Sequence, residues 1–563
     1  MAKCKLKVGL LLENYHLSAW THKMLSEIME SHYASLDLIV INAHPQNEQQ
    51  LEEKSVFQKI KDNSGRIPQI LVKKILLTTY SKLIDRNHYL PDAFKEIDCE
   101  NKFSEIPSIK VKTKKTKWSD YFNSDDVDNI KEHNIDIFIR CGFGILRGDI
   151  LNAAKYGIWS FHHGDNNVNR GGPAGYWESM ENWPETGSVL QILSEDLDNG
   201  NVLYRSYSCT NTMSTQDNRS NFFWKSLSFI PRKMEELYNL GEKKFFEKVD
   251  SENRHPTFYS KRLYTEPTNV ELAKLTFNKL KEKAIILYKN KFCLEQWILM
   301  FHLKDEFSSS LWRYKKIIPP KDRFWADPHV VYRDQKYYIF LEELPYRTNK
   351  GHIALITMDQ KGNYSEPEVI LDKPYHLSYP FIFEHENEFY MVPESAANKT
   401  IELYKCIDFP LRWEFQMNLM EEVYAVDTTL LFHKNKWWLF TNMKENEGAS
   451  SWDELFLFSS DNLLSQDWTP HPLNPIVSDC KSSRPAGKIF SENGILYRPS
   501  QNCSAHYGYG FNICEITTLD AEHYAETIVS KVTPDWDKEI IGTHTFNRAG
   551  SLHIIDAIYK RKK

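Results

Sequence analysis

The residues best suited to chemistry in this sequence are concentrated between positions 141 and 202. The segment holds two glycines in a loop, two histidines at the end of an apolar run and two aspartates before a glycine: Cys141-Gly-Phe-Gly-Ile-Leu146, Gly157-Ile-Trp-Ser-Phe-His-His163, Arg170-Gly-Gly-Pro-Ala-Gly-Tyr-Trp177 and Asp196-Leu-Asp-Asn-Gly200. Histidine titrates near neutral pH, and a carboxylate can orient it for proton transfer. Glycines let backbone groups approach a ligand closely. The segment therefore predicts acid–base chemistry beside a bound ligand.

The order and spacing of these pieces resemble the formyltransferase family that uses 10-formyltetrahydrofolate, which includes methionyl-tRNA and sugar N-formyltransferases. The family's Gly-x-x-Asn-x-His pattern places its catalytic histidine on His162, and its Leu-Asp-x-Gly pattern places its catalytic aspartate on Asp198. The resemblance also implies that Arg170 binds the substrate. It further implies a 10-formyltetrahydrofolate donor held by Gly142, Phe143, Gly144, Ile145, Leu146 and Asp196.

The family's asparagine position falls on Ser160, which is taken here as the third catalytic residue. Formyl transfer needs a base, a donor for the oxyanion and a carboxylate that orients the base. A serine hydroxyl is shorter than an amide and donates a single hydrogen. Two alternatives follow: either formyl transfer proceeds with Ser160, or the domain has lost or changed this chemistry. His163 is a possible substitute, although strand alternation would point it to the other face.

A second set of recurring residues occupies positions 301–563. In each copy a polar or proline-containing turn precedes an apolar strand, a tight turn and an aromatic strand. The five copies open at Asp327, Tyr379, Asp427, Arg484 and His544, which are 52, 48, 57 and 60 residues apart. This period is typical of propeller blades of about four strands. The pattern predicts an all-β five-bladed β-propeller, with a β-sandwich as the alternative.

Motifs of this region resemble the N-terminal domain of glucosamine inositolphosphorylceramide transferases: Trp325-Ala-Asp-Pro328, Met391-Val-Pro-Glu-Ser395, Arg484-Pro-Ala-Gly487 and Tyr497-Arg-Pro-Ser-Gln501. That domain is similar to the propellers of family-43 glycoside hydrolases, which carry an aspartate base, a second aspartate and a glutamate acid. The resemblance places the aspartates on Asp327 and Asp427. Arg484 stands where the acid is expected, and Glu394 is the possible substitute. Arg484 and Arg498 suit an anionic ligand such as a sugar phosphate or nucleotide.

Three aromatic residues of the same region are candidates for stacking on pyranose rings, namely Trp325, Tyr379 and Tyr507. The alternative is that these rings fill the space between blades and that the acidic residues cap turns.

Two kinds of fold must position these residues. In residues 1–250, apolar runs alternate with amphipathic stretches, which predicts an α/β doubly wound, Rossmann-like sheet. Ligands of such sheets bind at the carboxyl ends of the strands, where Gly142 and His162 would lie. Residues 251–300 are Lys-rich and are predicted to connect this domain to the propeller at 301–563.

Composition limits the classes of function. The formal charge of −6 over 563 residues gives no basic field for nucleic acid, and no apolar stretch is long enough to span a bilayer. Nine scattered cysteines without a Cys-x-x-Cys pair fit reduced thiols and no zinc site. We therefore expect a cytoplasmic protein that uses no metal. The sequence does not determine the oligomeric state.

The leading hypothesis is a formyltransferase that moves a formyl group from 10-formyltetrahydrofolate to an amine of a sugar or sugar conjugate. In it the propeller binds the acceptor, an amino sugar or sugar nucleotide. The alternative is a carbohydrate-binding or carbohydrate-processing protein, glycosyltransferase-like or glycosidase-like, whose first domain has lost or changed its chemistry. A third hypothesis keeps the fold but transfers another one-carbon or acyl unit.

Overall fold

Apolar runs form buried strands in the first half of the chain, and aromatic-rich strands dominate the second half. A computed structural model describes residues 3–43, 67–85, 88–116, 118–197, 199–255, 257–307 and 310–563. The chain divides into two units. One comprises residues 1–206, 210–283 and 446–449, and the other comprises residues 207–209, 284–445 and 450–563.

The described strands up to residue 209 are short. In chain order they are β1 (Leu6–Leu12), β2 (His16–Ser18), β3 (Ala34–Asn42), β4 (Glu96–Asp98), β5 (Ser108–Val111), β6 (Lys114–Lys115), β7 (Ser119–Tyr121), β8 (Ile137–Arg140), β9 (Ile145–Arg147), β10 (Ile158–His162), β11 (Glu185–Ile192) and β12 (Asn201–Cys209).

The described α-helices all precede residue 293. They are α1 (Ala19–Glu30), α2 (Ile67–Leu83), α3 (Ser124–Glu132), α4 (Tyr176–Met180), α5 (Thr215–Ser226), α6 (Phe229–Leu240), α7 (Glu242–Glu252) and α8 (Asn269–Phe292). Within the described part of the chain, no helix combines the length and hydropathy needed to cross a membrane.

Seven strands form one mixed sheet in the order β12-β11-β10-β8-β1-β3-β5. β1 pairs in parallel with β3 and β8, and β8 with β10, whereas β10 and β11 run antiparallel. Leu10 and Leu12 of β1 enter one apolar core and Leu11 enters another, so both faces of the sheet are covered. α1, α6 and α7 line the first core and α3 lines the second. The carboxyl ends of β1, β8 and β10 lie side by side, which brings Gly142 and His162 to the same sheet edge.

The second unit is built mainly of strands. They are β13 (Cys293–Leu303), β14 (Lys315–Ile317), β15 (Arg323–Arg333), β16 (Lys336–Pro345), β17 (His352–Asp359), β18 (Glu368–Leu371), β19 (Ser378–His385), β20 (Glu388–Ser395), β21 (Thr400–Asp408), β22 (Arg412–Glu421), β23 (Ala425–His433), β24 (Lys436–Met443), β25 (Glu454–Ser460), β26 (Thr469–Pro470), β27 (Val477–Ser478), β28 (Phe490–Glu492), β29 (Ile495–Asn502), β30 (Gly510–Leu519), β31 (Tyr524–Val532), β32 (Ile540–Gly542), β33 (Phe546–Ala549) and β34 (Leu552–Lys562).

These strands form five successive sheets. Four are built from neighbouring strands, β15–β18, β19–β22, β23–β27 and β28–β31, and the fifth combines β13 and β14 with β32–β34. β13 pairs with the last strand, β34, from Cys293 opposite Lys562 to Leu303 opposite Leu552, and this pairing closes the ring. The predicted five-bladed β-propeller is therefore confirmed. Because β13 begins at Cys293, the end of the predicted connector belongs to the closing blade.

The apolar cores of the propeller lie between adjacent sheets. Phe383 of β19 packs against Trp437 of β24 with ring centroids 5.5 Å apart, and Phe340 of β16 packs against Trp413 of β22 at 5.8 Å. The aromatic strands of the repeat thus supply the packing between blades.

Candidate functional site

His162, the predicted catalytic base, is buried at the end of β10. Its Nε2 lies 2.6 Å from the backbone oxygen of Asn169. Because a carbonyl oxygen only accepts, the imidazole donates its Nε2 proton to it, and this nitrogen does not act as a base. Asp198 lies outside the described residues, so its predicted pairing with His162 remains a prediction.

A neighbouring cation occupies the space beside Ser160. Nη1 of Arg140 donates to Ser160 Oγ at 3.2 Å, and Nη2 donates to the backbone oxygens of Phe143 and Gly144 at 3.2 and 3.0 Å. Ser160 is buried and accepts from Arg140. This differs from the predicted role, in which the Ser160 side chain donates a hydrogen bond to an oxyanion.

The loop expected to contact folate is hydrogen-bonded within the protein. The Phe143 amide donates to Glu13 Oε1 at 2.8 Å, and the Gly144 amide donates to Asp120. The Phe143 ring is buried against Phe122, with centroids 5.2 Å apart. These amides therefore donate hydrogen bonds that hold the loop in place within the protein.

Close packing explains the remaining residues of this loop. A Cβ on Gly142 would lie 2.3 Å from the backbone nitrogen of Glu13, so the approach of two chain segments requires glycine there. Ile145 and Leu146 belong to β9 and pair with β7.

Arg170, predicted to bind the substrate, is held by protein groups. Its Nε donates to the Asn166 backbone oxygen at 2.8 Å, and its Nη2 donates to Asn199 Oδ1 at 3.3 Å. Its guanidinium carbon lies 5.0 Å from the centroid of the Tyr259 ring. Asn166 and Asn199 line a polar cavity of about 430 Å³, so Arg170 supports a cavity wall. Asp196, expected at the folate site, is exposed.

His163 is an aromatic member of the core. Its ring stacks on Phe223 with centroids 3.6 Å apart, and its Nε2 lies 3.0 Å from Ser226 Oγ. Burial lowers the pKa of His163 well below its ordinary value, with further lowering from His162 and Arg219. With its ring stacked on Phe223 and its Nε2 at Ser226, His163 does not compensate for the asparagine that Ser160 replaces.

In the propeller, three of the predicted blade openings share an unusual backbone conformation. Asp327, Tyr379 and Asp427 have φ angles of 51°, 40° and 50°, and the strand register shifts at each of them. The left-handed region is costly for residues other than glycine, and a bulge redirects the side chain it carries. The same distortion on β15, β19 and β23 therefore redirects one side chain at the equivalent position of three blades.

The first cluster that these bulges create is centred on Asp427. Arg484 donates to both carboxylate oxygens, from Nε at 2.5 Å and from Nη2 at 3.2 Å. Nη2 also lies 3.5 Å from Glu394 Oε2, and Gln501 Nε2 donates to Asp427 Oδ2 at 2.6 Å. We call Asp427, Arg484, Glu394 and Gln501 the Asp427 cluster. Its arginine and aspartate are nearly inaccessible, whereas the Glu394 side chain is 14% exposed.

A second cluster links the first and last blades. His544 lies between two carboxylates, with Nδ1 2.8 Å from Asp556 Oδ2 and Nε2 3.3 Å from Asp327 Oδ1. The Thr545 hydroxyl lies 3.0 Å from Asp327 Oδ1 and 2.7 Å from Asp556 Oδ2. Asp556 also accepts the backbone amides of Asp327, His544 and Thr545. We call Asp327, His544, Thr545 and Asp556 the His544 cluster.

The His544 cluster is also a candidate metal site by geometry. One ligand atom from each of Asp327, His544 and Asp556 lies within 4.8 Å of the others. Both imidazole nitrogens face carboxylate oxygens, so ion pairs within the protein account for the arrangement.

Burial and mutual charge shift the titration of these groups. Burial raises the pKa of Asp327 to about 7, the His544 charge opposes this, and Asp427 and Glu342 add to it. Burial also raises the pKa of Glu394 well above its ordinary value, with Asp427 adding and Arg484 opposing. Burial alone would lower the pKa of His544, but Asp556 and Asp327 outweigh it and raise the pKa to about 9. Burial thus favours the protonated form of Glu394, whereas the two carboxylates favour the charged form of His544.

Of the three candidate stacking residues, one is partly open to solvent. Trp325 is buried and donates its indole N–H to Glu343 at 2.8 Å, and Tyr379 is fully buried. These two rings fill the space between blades, as the alternative interpretation held. Tyr507 is half-buried, and the guanidinium carbon of Arg484 lies 5.0 Å from its ring centroid.

Other partly exposed groups stand near the two clusters. The His376 side chain is 36% exposed, and its Nε2 lies 3.2 Å from Glu342, whose charge acts on Asp327. Tyr424 is exposed and lies under Lys444, and the charges of Glu394 and Arg484 act on its hydroxyl.

Arg498, predicted to bind an anionic ligand, is placed elsewhere. It donates to both carboxylate oxygens of Glu526 at 2.8 and 2.6 Å and to the backbone oxygens of Ser482 and Ser483. Its guanidinium is buried and therefore supports the turn that precedes Arg484.

Sequence reasoning missed Asp556 and Gln501 and treated His544 only as a blade opening. Asp556 lies within the apolar run Leu552-His-Ile-Ile-Asp-Ala557 of β34. A carboxylate inside an apolar strand needs a buried partner, and this signal was available in the sequence.

The comparisons with known proteins concern the propeller. Residues 317–558 match the family model described as glucosamine inositolphosphorylceramide transferase 1, N-terminal. The protein of that name from Oryza sativa subsp. japonica is 34% identical over 210 residues, which is 37% of this chain and 28% of the relative. The Arabidopsis thaliana protein is 33% identical over 209 residues, 37% of this chain and 27% of the relative. The chain thus spans little more than a quarter of these relatives.

Solved structures similar to the chain include two sugar-active enzymes. The family-117 glycoside hydrolase Zg3597 of Zobellia galactanivorans covers 47% of this chain and 90% of its own, with 12% identity and a TM-score of 0.31. The catalytic domain of the Coprinopsis cinerea GH62 α-L-arabinofuranosidase covers 47% and 97%, with 12% identity and a TM-score of 0.33. The five sheets of the second unit define the propeller independently of these similarities.

The leading functional hypothesis from the sequence is contradicted. The curated relatives are glucosamine inositolphosphorylceramide transferases, and their similarity favours the carbohydrate-related alternative over formyl transfer. The donor 10-formyltetrahydrofolate and the cytoplasmic location remain predictions. Residues 317–558 are similar to the N-terminal part of glucosamine inositolphosphorylceramide transferase 1.

Proposed function

We propose that this chain is a carbohydrate-processing protein whose propeller binds a neutral or amine-bearing glycosyl group near Glu394 and Tyr507. The observation that carries the proposal is the convergence of Glu394, Asp427 and Arg484 from three different blades. Carboxyl groups hydrogen-bond to sugar hydroxyls and ammonium groups, and an aromatic ring supports the apolar face of a pyranose.

The charge of the two clusters supports a sugar that is not anionic. Arg484 directs Nε and Nη2 at Asp427 and Glu394, and His544 directs both ring nitrogens at carboxylates. These two cations are therefore already paired with acidic groups of the protein in the absence of a ligand. The anionic ligand expected from Arg484 and Arg498 is not favoured. An amino sugar gains from the neighbouring carboxylates, and glucosamine appears in the names of the curated relatives.

A second candidate, proton donation to a glycosidic oxygen, rests on Glu394. Burial raises the pKa of this carboxyl, and glycoside cleavage requires an acid that can donate a proton. In this scheme Asp427, held by Arg484, acts only as a positioning residue for Glu394.

Calorimetric titration of the full chain with glucosamine, glucose and glucuronate tests the proposal. We expect glucosamine to bind most tightly and glucuronate most weakly. Tyr507→Leu should weaken binding about 3- to 10-fold through loss of ring stacking. Tyr364→Leu is the matched control, because this exposed tyrosine lies in the turn between β17 and β18. Tightest binding of glucuronate, or equal effects of the two variants, would contradict the proposal.

The second candidate is tested with aryl glycosides. Release of the aryl group by the wild type, its loss in Glu394→Gln and retention of sugar binding in that variant would support proton donation. Turnover that persists in Glu394→Gln would exclude Glu394 as the acid.

A further inference from the structure

Helix α8 has one buried face and one apolar face that is open to solvent. Leu272, Leu275, Thr276 and Lys279 form the buried face. The other face carries Val270, Ala273, Phe277, Ala284, Leu287 and Tyr288, and all six are exposed. We call these six residues the α8 stripe. Phe277 is 68% exposed and Leu287 is 62% exposed.

The spacing of the α8 stripe places its members on one side of the helix. Val270, Ala273 and Phe277 are three or four residues apart, and Ala284, Leu287 and Tyr288 form a second group two turns further along a helix of 24 residues, about 36 Å long. Exposed apolar side chains grouped on one side of a helix are costly in water and mark an interaction site.

Exposed lysines flank the α8 stripe. Lys274, Lys281, Lys289 and Lys291 are all exposed. Both acidic residues of the helix are already paired, Glu271 with Arg262 at 2.9 Å and Glu282 with Lys279 at 3.2 Å. The lysines therefore give the helix surface an excess positive charge.

Helix α2 has the same character and packs on α8. Its sequence contains Lys73, Lys74 and Lys82 and no acidic residue, and Leu71 and Ile75 are exposed. Tyr80 at its end shares an apolar core with Leu275 of α8, and Lys283 donates to the Leu83 backbone oxygen. The two helices thus present apolar and basic side chains together.

We propose that the α8 stripe and its lysines bind the surface of an anionic lipid membrane. Apolar side chains enter the boundary between headgroups and acyl chains, and the flanking ammonium groups bind lipid phosphates and carboxylates. A second copy of the chain is a poorer partner, because pairing two α8 stripes would bring lysines together on both sides.

Vesicle co-sedimentation of the full chain tests the proposal, with phosphatidylcholine alone and with part of it replaced by phosphatidylserine. We expect binding to the anionic vesicles that weakens as salt is raised. Lys281→Gln/Lys289→Gln should reduce partitioning roughly 30-fold, since each lysine near the surface contributes about 1 kcal/mol. Phe277→Glu/Leu287→Glu should abolish binding. Phe415→Glu, at a similarly exposed aromatic of β22, should leave it unchanged.

Three results would overturn the proposal. The first is no difference between the two kinds of vesicle, and the second is equal binding by wild type and both α8 variants. The third is a dimer in light scattering that Phe277→Glu/Leu287→Glu converts to a monomer, which would assign the α8 stripe to a second copy. Unchanged melting temperatures of the variants, expected for such exposed positions, keep the comparison valid.

Discussion

Arg484 binds Asp427 through two hydrogen bonds, from Nε at 2.5 Å and from Nη2 at 3.2 Å, although 57 residues separate them in the chain. Both side chains are almost completely buried. The pair joins the third and fourth blades and holds the guanidinium beside Glu394.

Removing either partner of this pair should destabilise the propeller. Arg484→Ala leaves Asp427 buried without its cation, and we expect a loss of about 3–5 kcal/mol in the free energy of unfolding. Arg484→Lys should cost less, because an ammonium keeps the charge but not the two-pronged geometry. Denaturant unfolding measures both variants, with the exposed Arg412→Ala as control. A loss in Arg484→Ala no larger than in Arg412→Ala would refute the inferred strength of the pair.

Glu394→Gln should be tolerated. Because burial raises the pKa of the Glu394 carboxyl and so favours its neutral form, we expect an amide of the same shape to replace it at little cost. We expect the free energy of unfolding to change by less than about 1 kcal/mol. Asp427→Asn should lower it by about 3–5 kcal/mol, because Arg484 then stays buried without the carboxylate that it binds. Parallel denaturant titrations compare the two variants. Similar losses in both would mean that Glu394 is ionised in the folded protein.

Stability should fall as pH rises from 6.5 to 9. The pKa of His544 is raised from 6.5 to about 9 by Asp556 and Asp327 against the effect of burial, so the folded protein retains a proton that the unfolded chain releases in this range. The stabilisation is complete below pH 6.5 and is lost as pH passes 9, with a magnitude on the order of 3 kcal/mol or less. The raised pKa of Asp327 acts in the same direction between pH 3.8 and about 7.

Unfolding free energies measured across this pH range, for wild type and His544→Gln, check the assignment. The variant should be less stable below pH 6.5 and should show a flatter profile between pH 6.5 and 9. A slope that is identical in the two proteins would assign the pH dependence to other groups.

Ser160→Asn should destabilise the first unit. Ser160 is buried and accepts from Arg140, so a larger side chain must displace the guanidinium or its own neighbours. Overpacking of this kind costs about 1–3 kcal/mol. Thermal unfolding measures the change, and Ser160→Ala serves as the comparison, because it removes only one acceptor. An Asn variant as stable as wild type would show that the site has room for the amide.

Local periodicity in the sequence predicted an α/β sheet followed by a β-propeller. Alternating apolar and amphipathic segments predicted the mainly parallel sheet built on β1, β8 and β10. The repeat opening at Asp327, Tyr379 and Asp427 predicted the successive sheets, since each blade is a local unit of neighbouring strands. The prediction of formyl transfer was wrong because short motifs of glycine, histidine and aspartate show only residue types and their spacing. They do not show which groups each side chain contacts in the folded protein.

The partners of each residue depend on contacts between distant parts of the chain. Asp327 and His544 are 217 residues apart, and they meet because β13 and β34 close the ring and bring the fifth blade beside the first. By residue type alone, Arg484 and Arg498 could each bind an anionic ligand or a buried carboxylate. In the folded protein Arg484 lies within hydrogen-bonding distance of Asp427, and Arg498 lies within that distance of Glu526. Long-range packing sets both distances.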